Sequence, residues 1–457
     1  MNAPLHRSGV LAALVIALLV TACGSSTPTP SPSLAPSAPP SAPAAPSDAP
    51  SASAQPSASP AAAACDPDAL PTDASPAPDN DDPNAALYEE IEAQVTQLRG
   101  IEAGKPVERG VFDKAGLCAY ITKAFATENP ESLIKGTEDL FKALLLMDQD
   151  ANLEDLYIEL LTSQVAGLYD DDAKKMFVVT NTGEIGGAEK ITYAHEYTHA
   201  LQDQRFVLGD LIGEDKDQGD RTLARTALVE GDATLLMSLW AQQHLSPDEL
   251  AEAVSAADPG SEAILAKMPA ILRETLIWPY TQGLQLTLRA FQGGGYGAID
   301  QLYSTPPDST EQVLHPEKLD AREAPVPVAF PDDFPGSLGT GWEIALEDTI
   351  GEYQLGILVG DAAGGANATE AAAGWGGDRV AWVTGPDGAN AAILDTRWDT
   401  DADAAEFSAA LAGYVAKLQA ADRTAAILQP APDRVVVISA DGDDTLGKVA
   451  NVLGLAD

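Results

Sequence analysis

The sequence predicts an α+β protein in which a mainly helical part is followed by a smaller unit of strands and helices. From Asn84 onward, apolar residues recur every three or four positions, the period of an amphipathic helix. A short β-prone run over residues 175–180 lies between turn-forming segments. Beyond about residue 335, helical patterns alternate with short strands. We therefore expect a mainly helical domain with a short edge sheet over residues 84–334 and a small α+β domain over 335–457.

The first 22 residues have the features of an export signal. A basic start at Arg7 precedes an apolar stretch over residues 10–20, which is too short to remain as a membrane-spanning helix. Val20-Thr21-Ala22-Cys23 resembles the lipobox of bacterial lipoproteins, which implies cleavage before Cys23 and lipidation of its sulfur. We predict a signal peptide over residues 1–22 and an exported protein anchored to the outer face of the cell membrane through Cys23. An ordinary secreted protein is the alternative.

Residues 23–83 are predicted to form a disordered tether behind the lipid anchor. They are almost entirely Ser, Pro, Ala, Thr and Asp, and they offer no bulky side chains to bury. Cys65 lies in this tether and Cys118 lies beyond it. An exported protein can keep a disulfide bond, so these two cysteines either pair or remain free thiols.

The charge of the chain excludes one large class of functions. Lys and Arg number 26 against 69 Asp and Glu, which gives a formal net charge of -43. Such a chain repels nucleic acid and anionic lipid headgroups, so neither is an expected partner. Solubility in the extracellular medium explains the acidity without any specific recognition, and the charge names no substrate.

The same criteria predict the remaining elements in chain order. Ser246 precedes Pro247, and Glu249 follows three residues after Ser246, the pattern of a helix start closed by a capping box. Helices are predicted over about 84–98, 114–126, 130–146, 153–168, 188–204, 222–244, after Ser246, 350–359, 402–418 and up to 453, and strands over 175–180, 379–384, 391–395 and 434–439.

A His-Glu-x-x-His sequence lies in the helix predicted over residues 188–204. His195 and His199 are four residues apart, so a helix presents both imidazoles on one face, with Glu196 beside them. Neutral imidazole is a preferred zinc ligand, and a catalytic zinc ion keeps one position open for water. The spacing therefore predicts a zinc site. Two helix histidines that bind no metal are the alternative.

The next predicted helix offers a third ligand. Glu230 lies in a stripe of apolar and small residues, where a lone carboxylate is costly unless it is paired or binds a metal. Asp232 is two residues further and points away from that face. Gly231 lets the helix approach a neighbour closely. We therefore expect Glu230 as the third ligand, with a salt-bridged core glutamate as the alternative.

These residues resemble those of a known class of enzymes. His195 to His199, followed by Glu230-Gly231-Asp232-Ala233-Thr234, is similar to the gluzincin zinc metallopeptidases. More narrowly, residues 164–170, 195–204 and 306–316 resemble a group of largely uncharacterised bacterial HExxH lipoproteins. The resemblance implies a zincin-like fold and one Zn²⁺ per chain, held by His195, His199 and Glu230.

The resemblance also implies supporting roles around the metal. Gluzincins often carry an acidic residue four positions after the glutamate ligand, where this chain has Thr234, so Asp203 is a possible substitute in orienting a histidine ligand. In relatives of this class a strand beside the motif helix pairs with the extended substrate. The strand residues predicted for that role are Met176, Phe177, Val178 and Val179.

The predicted function is hydrolysis of peptide bonds in a peptide or protein substrate. Zinc activates a water molecule, and Glu196 acts as general base. His315 is the first candidate for stabilising the oxyanion, with a structural histidine as the alternative and Tyr280 and Tyr193 as further candidates. The alternative function is that of a non-catalytic surface lipoprotein, which keeps a structural zinc site and binds wall polymers or proteins.

Calcium is not expected in this protein. Asp148, Asp150, Asn152 and Glu159 have the spacing of ligands in a calcium-binding loop. The sixth position of that loop is Leu153, where the sharp turn requires glycine.

Overall fold

The computed structural model describes residues 84–112, 114–164, 167–179, 185–213, 217–255, 263–364 and 367–455. The predicted signal peptide and tether, with Cys23 and Cys65, lie outside these residues. Cys118 forms a disulfide bond. Because the two other cysteines lie outside the described residues, its pairing with Cys65 stays a prediction. None of the described helices has the length and apolar character needed to cross a membrane.

The described chain is α+β, mostly helical, with two sheets. The helices are α1 (Ala85–Arg99), α2 (Lys114–Glu128), α3 (Glu131–Ala143), α4 (Leu153–Gln164), α5 (Gly187–Phe206), α6 (Leu208–Ile212), α7 (Gly219–His244), α8 (Pro247–Ser255), α9 (Ala270–Gly294), α10 (Tyr296–Ser304), α11 (Thr310–Leu314), α12 (Pro316–Ala321), α13 (Phe334–Leu338), α14 (Gly351–Ile357), α15 (Ala368–Ala372), α16 (Asp401–Ala410), α17 (Tyr414–Ala420) and α18 (Asp443–Val452). A π-helical turn, Leu358–Ala363, continues α14. The strands are β1 (Glu108–Phe112), β2 (Gly167–Asp170), β3 (Lys175–Val179), β4 (Glu343–Asp348), β5 (Trp375–Thr384), β6 (Asn390–Trp398), β7 (Thr424–Ala431) and β8 (Arg434–Ala440).

The predicted helices and strands agree with most of these elements and differ at several ends. The helix predicted over residues 153–168 ends at Gln164, because the chain turns into β2 from Gly167. The helix predicted over 402–418 is two helices, α16 and α17. Strands β1, β2, β4 and β7 were not predicted. The capping box at the start of α8 is confirmed, since Glu249 accepts from the Ser246 amide at 2.8 Å and its own amide donates to the Ser246 hydroxyl at 3.3 Å.

The first sheet has three strands in the order β1-β3-β2. Strand β3 pairs with β1 in parallel and with β2 in antiparallel orientation, so both of its edges are occupied. The predicted substrate-pairing residues Met176 to Val179 therefore lie in the central strand, and their backbone polar groups already belong to the sheet. That prediction does not fit the observed pairing. The edge strands are β1 and β2, and β2 packs along the His-Glu-x-x-His helix, where its Tyr169 amide donates to Glu196.

The second sheet is antiparallel, with the strand order β4-β5-β6-β8-β7. Its side chains alternate between two buried faces. One face, with Val380 and Val437, joins a large core that also contains helical residues such as Leu140 and Leu272. The other face, with Ala381, packs against α13 and α18. The helical part and the second sheet therefore share one continuous core.

The N-terminal end of α7 is held by the segment that leads from β4 to α14. The backbone amide of Gly219 donates to Asp348 at 2.7 Å, and that of Asp220 donates to the Thr349 carbonyl at 2.9 Å. Just before the helix, Asp217 pairs with Arg379 of β5 at 2.5 Å. The first amides of a helix have no partner within it, so these contacts cap α7 from the second sheet.

Helices α7 and α9 cross at two glycines. A Cβ atom on Gly231 would collide with the Gly283 backbone, and one on Gly283 would collide with the Ala227 backbone. Only residues without a side chain allow the backbones this close. Gly231 therefore brings α7 against α9, which carries Tyr280, and it does so one residue after Glu230.

Candidate metal centre

The His-Glu-x-x-His sequence lies in the middle of α5, as predicted. His195, Glu196 and His199 are all buried, with exposed fractions of 0%, 1% and 4%. The helix is buried over most of its length because Ala194, Ala200 and Leu201 pack with α1 and α7. Buried polar side chains require partners, and here the partners come from α7 and β2.

Three potential ligand atoms meet between α5 and α7. His195 Nε2 lies 2.9 Å from His199 Nε2 and 3.2 Å from Glu230 Oε2, and His199 Nε2 lies 3.3 Å from that same oxygen. For a tetrahedral zinc ion with bonds of roughly 2.0–2.1 Å, two ligand atoms are separated by roughly 3.3–3.4 Å. The three observed distances fit one small ion, so His195, His199 and Glu230 could hold a metal together, as the sequence predicts.

The charges at this point also fit a cation. Burial disfavours the ionised form of Glu230, but His199 and His195 outweigh it and lower the pKa of Glu230 to about 2. Burial likewise opposes a charge on His199, yet the Glu230 carboxylate raises the pKa of His199 to about 9. The pKa of His195 is lowered by burial and by the adjacent His199. Glu230 and His199 thus favour each other's charged forms, and a divalent cation can balance the buried carboxylate in place of a proton.

Glu196 has one oxygen in use and one free. Its Oε2 accepts a hydrogen bond of 2.8 Å from the backbone amide of Tyr169 in β2. Its Oε1 is buried and has no hydrogen-bond partner within the described residues. Burial, opposed by His199 and reinforced by Glu230, raises the pKa of Glu196 to about 8. The glutamate is thus fixed in orientation through Oε2, and a cation at the adjacent ligands would favour the ionised form, in which Oε1 is an acceptor.

A buried network holds His199 on the side away from the ligands. His199 Nδ1 lies 2.8 Å from Gln202 Oε1, and Gln202 donates in turn to Asp232 at 3.0 Å. Asp232 also accepts from Tyr303 at 3.0 Å and forms a buried ion pair with Arg99 at 3.1 Å. A hydrogen bond from Nδ1 to Gln202 leaves Nε2 of His199 free to bind metal.

We expect the Gln202→Leu variant to bind zinc roughly 10–100-fold more weakly than the native protein. Leucine fills a similar volume but cannot accept a hydrogen bond from His199 Nδ1. The proton of the imidazole is then no longer held on Nδ1, and Nε2 is less available for the metal. Competition with a chromogenic chelator measures the affinity. Gln204→Leu is the matched control, because Gln204 lies on the same helix, is exposed and bonds to Lys105. Equal affinities for both variants would contradict the role of Gln202.

Tyr280 covers the other side of the site. Its ring stacks on His195 at a centroid distance of 6.1 Å, and its hydroxyl donates a hydrogen bond to Glu230. Burial and the Glu230 carboxylate raise the pKa of Tyr280 well above its usual range. The phenol therefore remains a hydrogen-bond donor at the metal ligands.

Other predicted site residues lie further away. Asp203 accepts from the Tyr169 hydroxyl at 2.8 Å and from Lys174 at 2.6 Å, so it supports the strand that holds Glu196 and does not contact a histidine ligand. The Thr234 hydroxyl is buried and, within the described residues, has no hydrogen-bond partner. His195 Nδ1 has none there either.

The structure does not bring His315 to the three ligands. Its Nε2 lies 2.7 Å from Glu352 of α14, and its Nδ1 lies 3.9 Å from Glu317. The hydrogen bond that His315 donates to Glu352, opposed by burial, raises the pKa of His315. Tyr193 also lies elsewhere, since its hydroxyl donates to Glu92 at 2.6 Å.

Gln202, Asp232 and Tyr169 are site residues that the sequence did not predict. Gln202 follows His199 by three residues, a helical spacing that could have indicated the contact. Asp232 points away from the ligand face and still reaches Gln202. Tyr169 acts through its backbone amide, which no side-chain pattern reveals.

A second group of acidic side chains is neutralised by a lysine. Glu311, Glu323 and Asp399 come close enough together to hold a metal. Lys318 already lies among them, with Nζ 2.6 Å from Glu311 and 2.9 Å from Glu323, and it also contacts Asp399. The lysine ammonium supplies the positive charge that this group needs.

One part of the chain matches a known protein family. Residues 343–451 match the family described as a domain of unknown function, DUF8575. A search of curated proteins and of solved structures finds no match. The matched segment comprises the second sheet with its helices, whereas the three potential metal ligands lie between residues 195 and 230. The segment that this chain shares with a known family is therefore the second sheet with its helices. This segment also caps the N-terminal end of α7.

Proposed function

We propose that the protein is a zinc-dependent metallopeptidase with a zincin-like helical domain, similar to the gluzincins. The observation that supports this most is the arrangement of three ligand atoms 2.9–3.3 Å apart beside a buried glutamate oxygen that no described residue hydrogen-bonds. A peptide or a protein is the substrate class. The further parts of the proposal are one Zn²⁺ per chain, export, and anchoring to the outer face of the membrane through Cys23.

The number of ligands favours catalysis over a structural role for the metal. Structural zinc sites usually have four protein ligands, and catalytic sites usually have three with one open position. Among the described residues, His195, His199 and Glu230 form the group, and His315, which could have been a fourth ligand, pairs with Glu352.

The chain's own residues supply the proton transfers. When bound, zinc would polarise the scissile carbonyl and make water a stronger nucleophile at neutral pH. Glu196 Oε1 accepts the proton of the attacking water and later passes it to the leaving amine. Oε2 keeps its hydrogen bond to the Tyr169 amide throughout, so the carboxylate holds its position.

Tyr280 is the donor that we propose for the oxyanion. Its hydroxyl already lies at Glu230 and next to the ring of His195. Donors fixed near the reacting carbonyl contribute most when they need no rearrangement. To reach the oxyanion, the single hydroxyl hydrogen of Tyr280 would turn away from Glu230 by rotation about one bond, whereas His315 pairs with Glu352 and lies apart from the three ligands.

Strand β2 is the segment that we propose for substrate pairing. It is an edge strand of the first sheet, and its residue Tyr169 touches Glu196. An extended peptide paired with the outer edge of β2 would pass beside that glutamate. At Gly167 the tightest contact of an added Cβ would be with the Phe177 carbonyl oxygen of β3, at 3.1 Å, so the glycine eases the pairing of β2 with β3.

Metal removal tests the proposal. We expect the purified full-length protein to contain about one zinc ion and to cleave members of a mixed peptide library. Dialysis against a chelator removes both zinc and cleavage, because the metal contributes several kcal/mol of transition-state stabilisation. Added zinc restores both. Stoichiometric zinc with no cleavage of any peptide would favour the structural-zinc lipoprotein instead, and absence of zinc binding would overturn both functions.

A further inference from the structure

A cavity lies between α9 and α14, on the side of α9 that faces away from the metal ligands. It has a volume of about 440 Å³, within the range of roughly 300–1,000 Å³ that is common for small-molecule sites. Trp278 lines it, whereas Tyr280, two residues later, contacts Glu230. Side chains two positions apart on a helix point about 200° apart. The cavity is therefore separate from the metal centre.

Two buried side chains in the wall each have a polar atom without a partner. Trp278 and Glu352 are both 2% exposed, and both line the cavity. Within the described residues, neither the indole Nε1 of Trp278 nor Oε2 of Glu352 forms a hydrogen bond. Buried polar groups are rarely left unpaired, because each unmade hydrogen bond costs free energy. An indole can only donate and a carboxylate can only accept, so the two atoms require opposite groups on a ligand.

The other lining residues indicate the charge of those groups. Three carboxylates, Glu274, Glu352 and Asp361, face one guanidinium, Arg273, which lies 3.1 Å from Glu274. The other oxygen of Glu352 is taken by His315 at 2.7 Å. A charged donor such as an ammonium group binds a carboxylate roughly twice as strongly as a neutral donor does. The rings of Trp278 and Tyr353, 4.9 Å apart in the same wall, add aromatic surface that attracts a cation.

The backbone of α14 is also unusual at the cavity. The helix widens into a π-helical turn over Leu358–Ala363, and Gly360 and Asp361 of this turn line the cavity. Such π segments occur frequently at functional sites. Four small residues form part of the same wall and leave the space open, namely Gly356, Gly360, Ala368 and Ala372.

We propose that this cavity binds a small ligand with an ammonium group and a carbonyl or carboxylate acceptor, as free amino acids and short peptides have. The ammonium bonds to Glu352, and the acceptor takes the indole hydrogen of Trp278. This binding site does not depend on the proposed peptidase activity.

Calorimetric titration of the full-length protein tests this binding. A chelator is kept in the buffer, so no bound metal takes part. We expect glycylglycine to bind saturably at one site per chain. N-acetylglycylglycine, which lacks the ammonium group, should bind roughly tenfold or more weakly, since a hydrogen bond to a charged group is lost.

Conservative variants locate the site. Glu352→Gln keeps an oxygen for His315 but replaces the free acceptor with a donor, and it should weaken glycylglycine binding roughly tenfold or more. Trp278→Phe removes the indole N–H and keeps an aromatic ring. This variant should also bind glycylglycine more weakly. Glu370→Gln, at an exposed residue of α15, is the control and should have no effect. Thermal melting shows whether each variant is folded.

Three outcomes would overturn the proposal. One is no saturable heat up to roughly 10 mM ligand, a concentration at which even weak sites fill. Another is unchanged affinity in both folded variants. The third is preferential binding of glucosamine, which would assign the cavity to amino sugars. Because chelated protein has no peptidase activity, none of these results bears on the metal centre.

Discussion

Replacement of Glu196 by glutamine is expected to abolish most peptide cleavage while leaving the metal in place. The side chains have the same shape, and the amide oxygen of glutamine can still accept the hydrogen bond from Tyr169. What the variant loses is the group that takes a proton from water. General-base catalysis typically contributes about 10²–10⁴-fold, so kcat/KM should fall by that factor.

The measurement pairs kinetics with metal analysis. Cleavage rates on the best peptide of the library are determined for the native protein and for Glu196→Gln, and zinc is quantified in both. Lys190→Gln is a suitable control, because Lys190 lies on the same helix and pairs with Glu249 away from the ligands. A Glu196→Gln variant with full activity and full zinc content would falsify the proposed mechanism.

The Glu230→Ala variant is expected to lose its zinc. Binding of structural zinc by four ligands releases about 10–16 kcal/mol, so one ligand accounts for roughly 3 kcal/mol, or about 200-fold in affinity. Glu230 is the charged ligand beside two imidazoles, so its removal also takes away the negative charge that balances the cation. The apoprotein should remain folded, because the methyl group of alanine fits the small residues around it on α7.

Zinc content after dialysis against a buffer of fixed free zinc measures this effect. Asp248→Ala is the control, since Asp248 is an exposed carboxylate on the neighbouring helix α8. Glu230→Asp adds a graded comparison: a shorter carboxylate should retain some affinity, whereas Glu230→Gln should retain little. Retention of one zinc ion by Glu230→Ala would show that a residue other than Glu230 is the third ligand.

The candidate site was largely predictable because it depends on helical periodicity. The four-residue spacing of His195 and His199 places both on one face of a helix, and the apolar stripe on α7 marks Glu230 as a buried carboxylate that needs a partner. Both predictions use only local geometry. Gln202 contacts His199 and Asp232 behind the ligands, and these contacts depend on how α5 and α7 are rotated against each other. The sequence of one helix does not specify that rotation.

The sheets were less predictable, for a different reason. Strand β3 has a clear β-prone sequence, but its place between β1 and β2 follows from pairing with segments that have weak strand patterns. Whether a strand is central or at an edge depends on partners distant in sequence. The predicted role of residues 176–179 in substrate pairing failed on this point, although a strand beside α5 was correctly expected.

The shared core has a consequence for how the second sheet can be used elsewhere. One face of this sheet, with Val380 and Val437, is covered partly by helices that lie before residue 335 and partly by helices of its own segment, such as α14 and α16. A chain that carried residues 343–451 alone would expose the apolar surface that the earlier helices cover, which soluble monomers rarely tolerate if it is large. Another protein built on this segment therefore needs a different element to cover that part of the face, and that element determines what the segment holds in position. In this chain the covered unit is joined to the start of α7, and through that helix it orients Glu230.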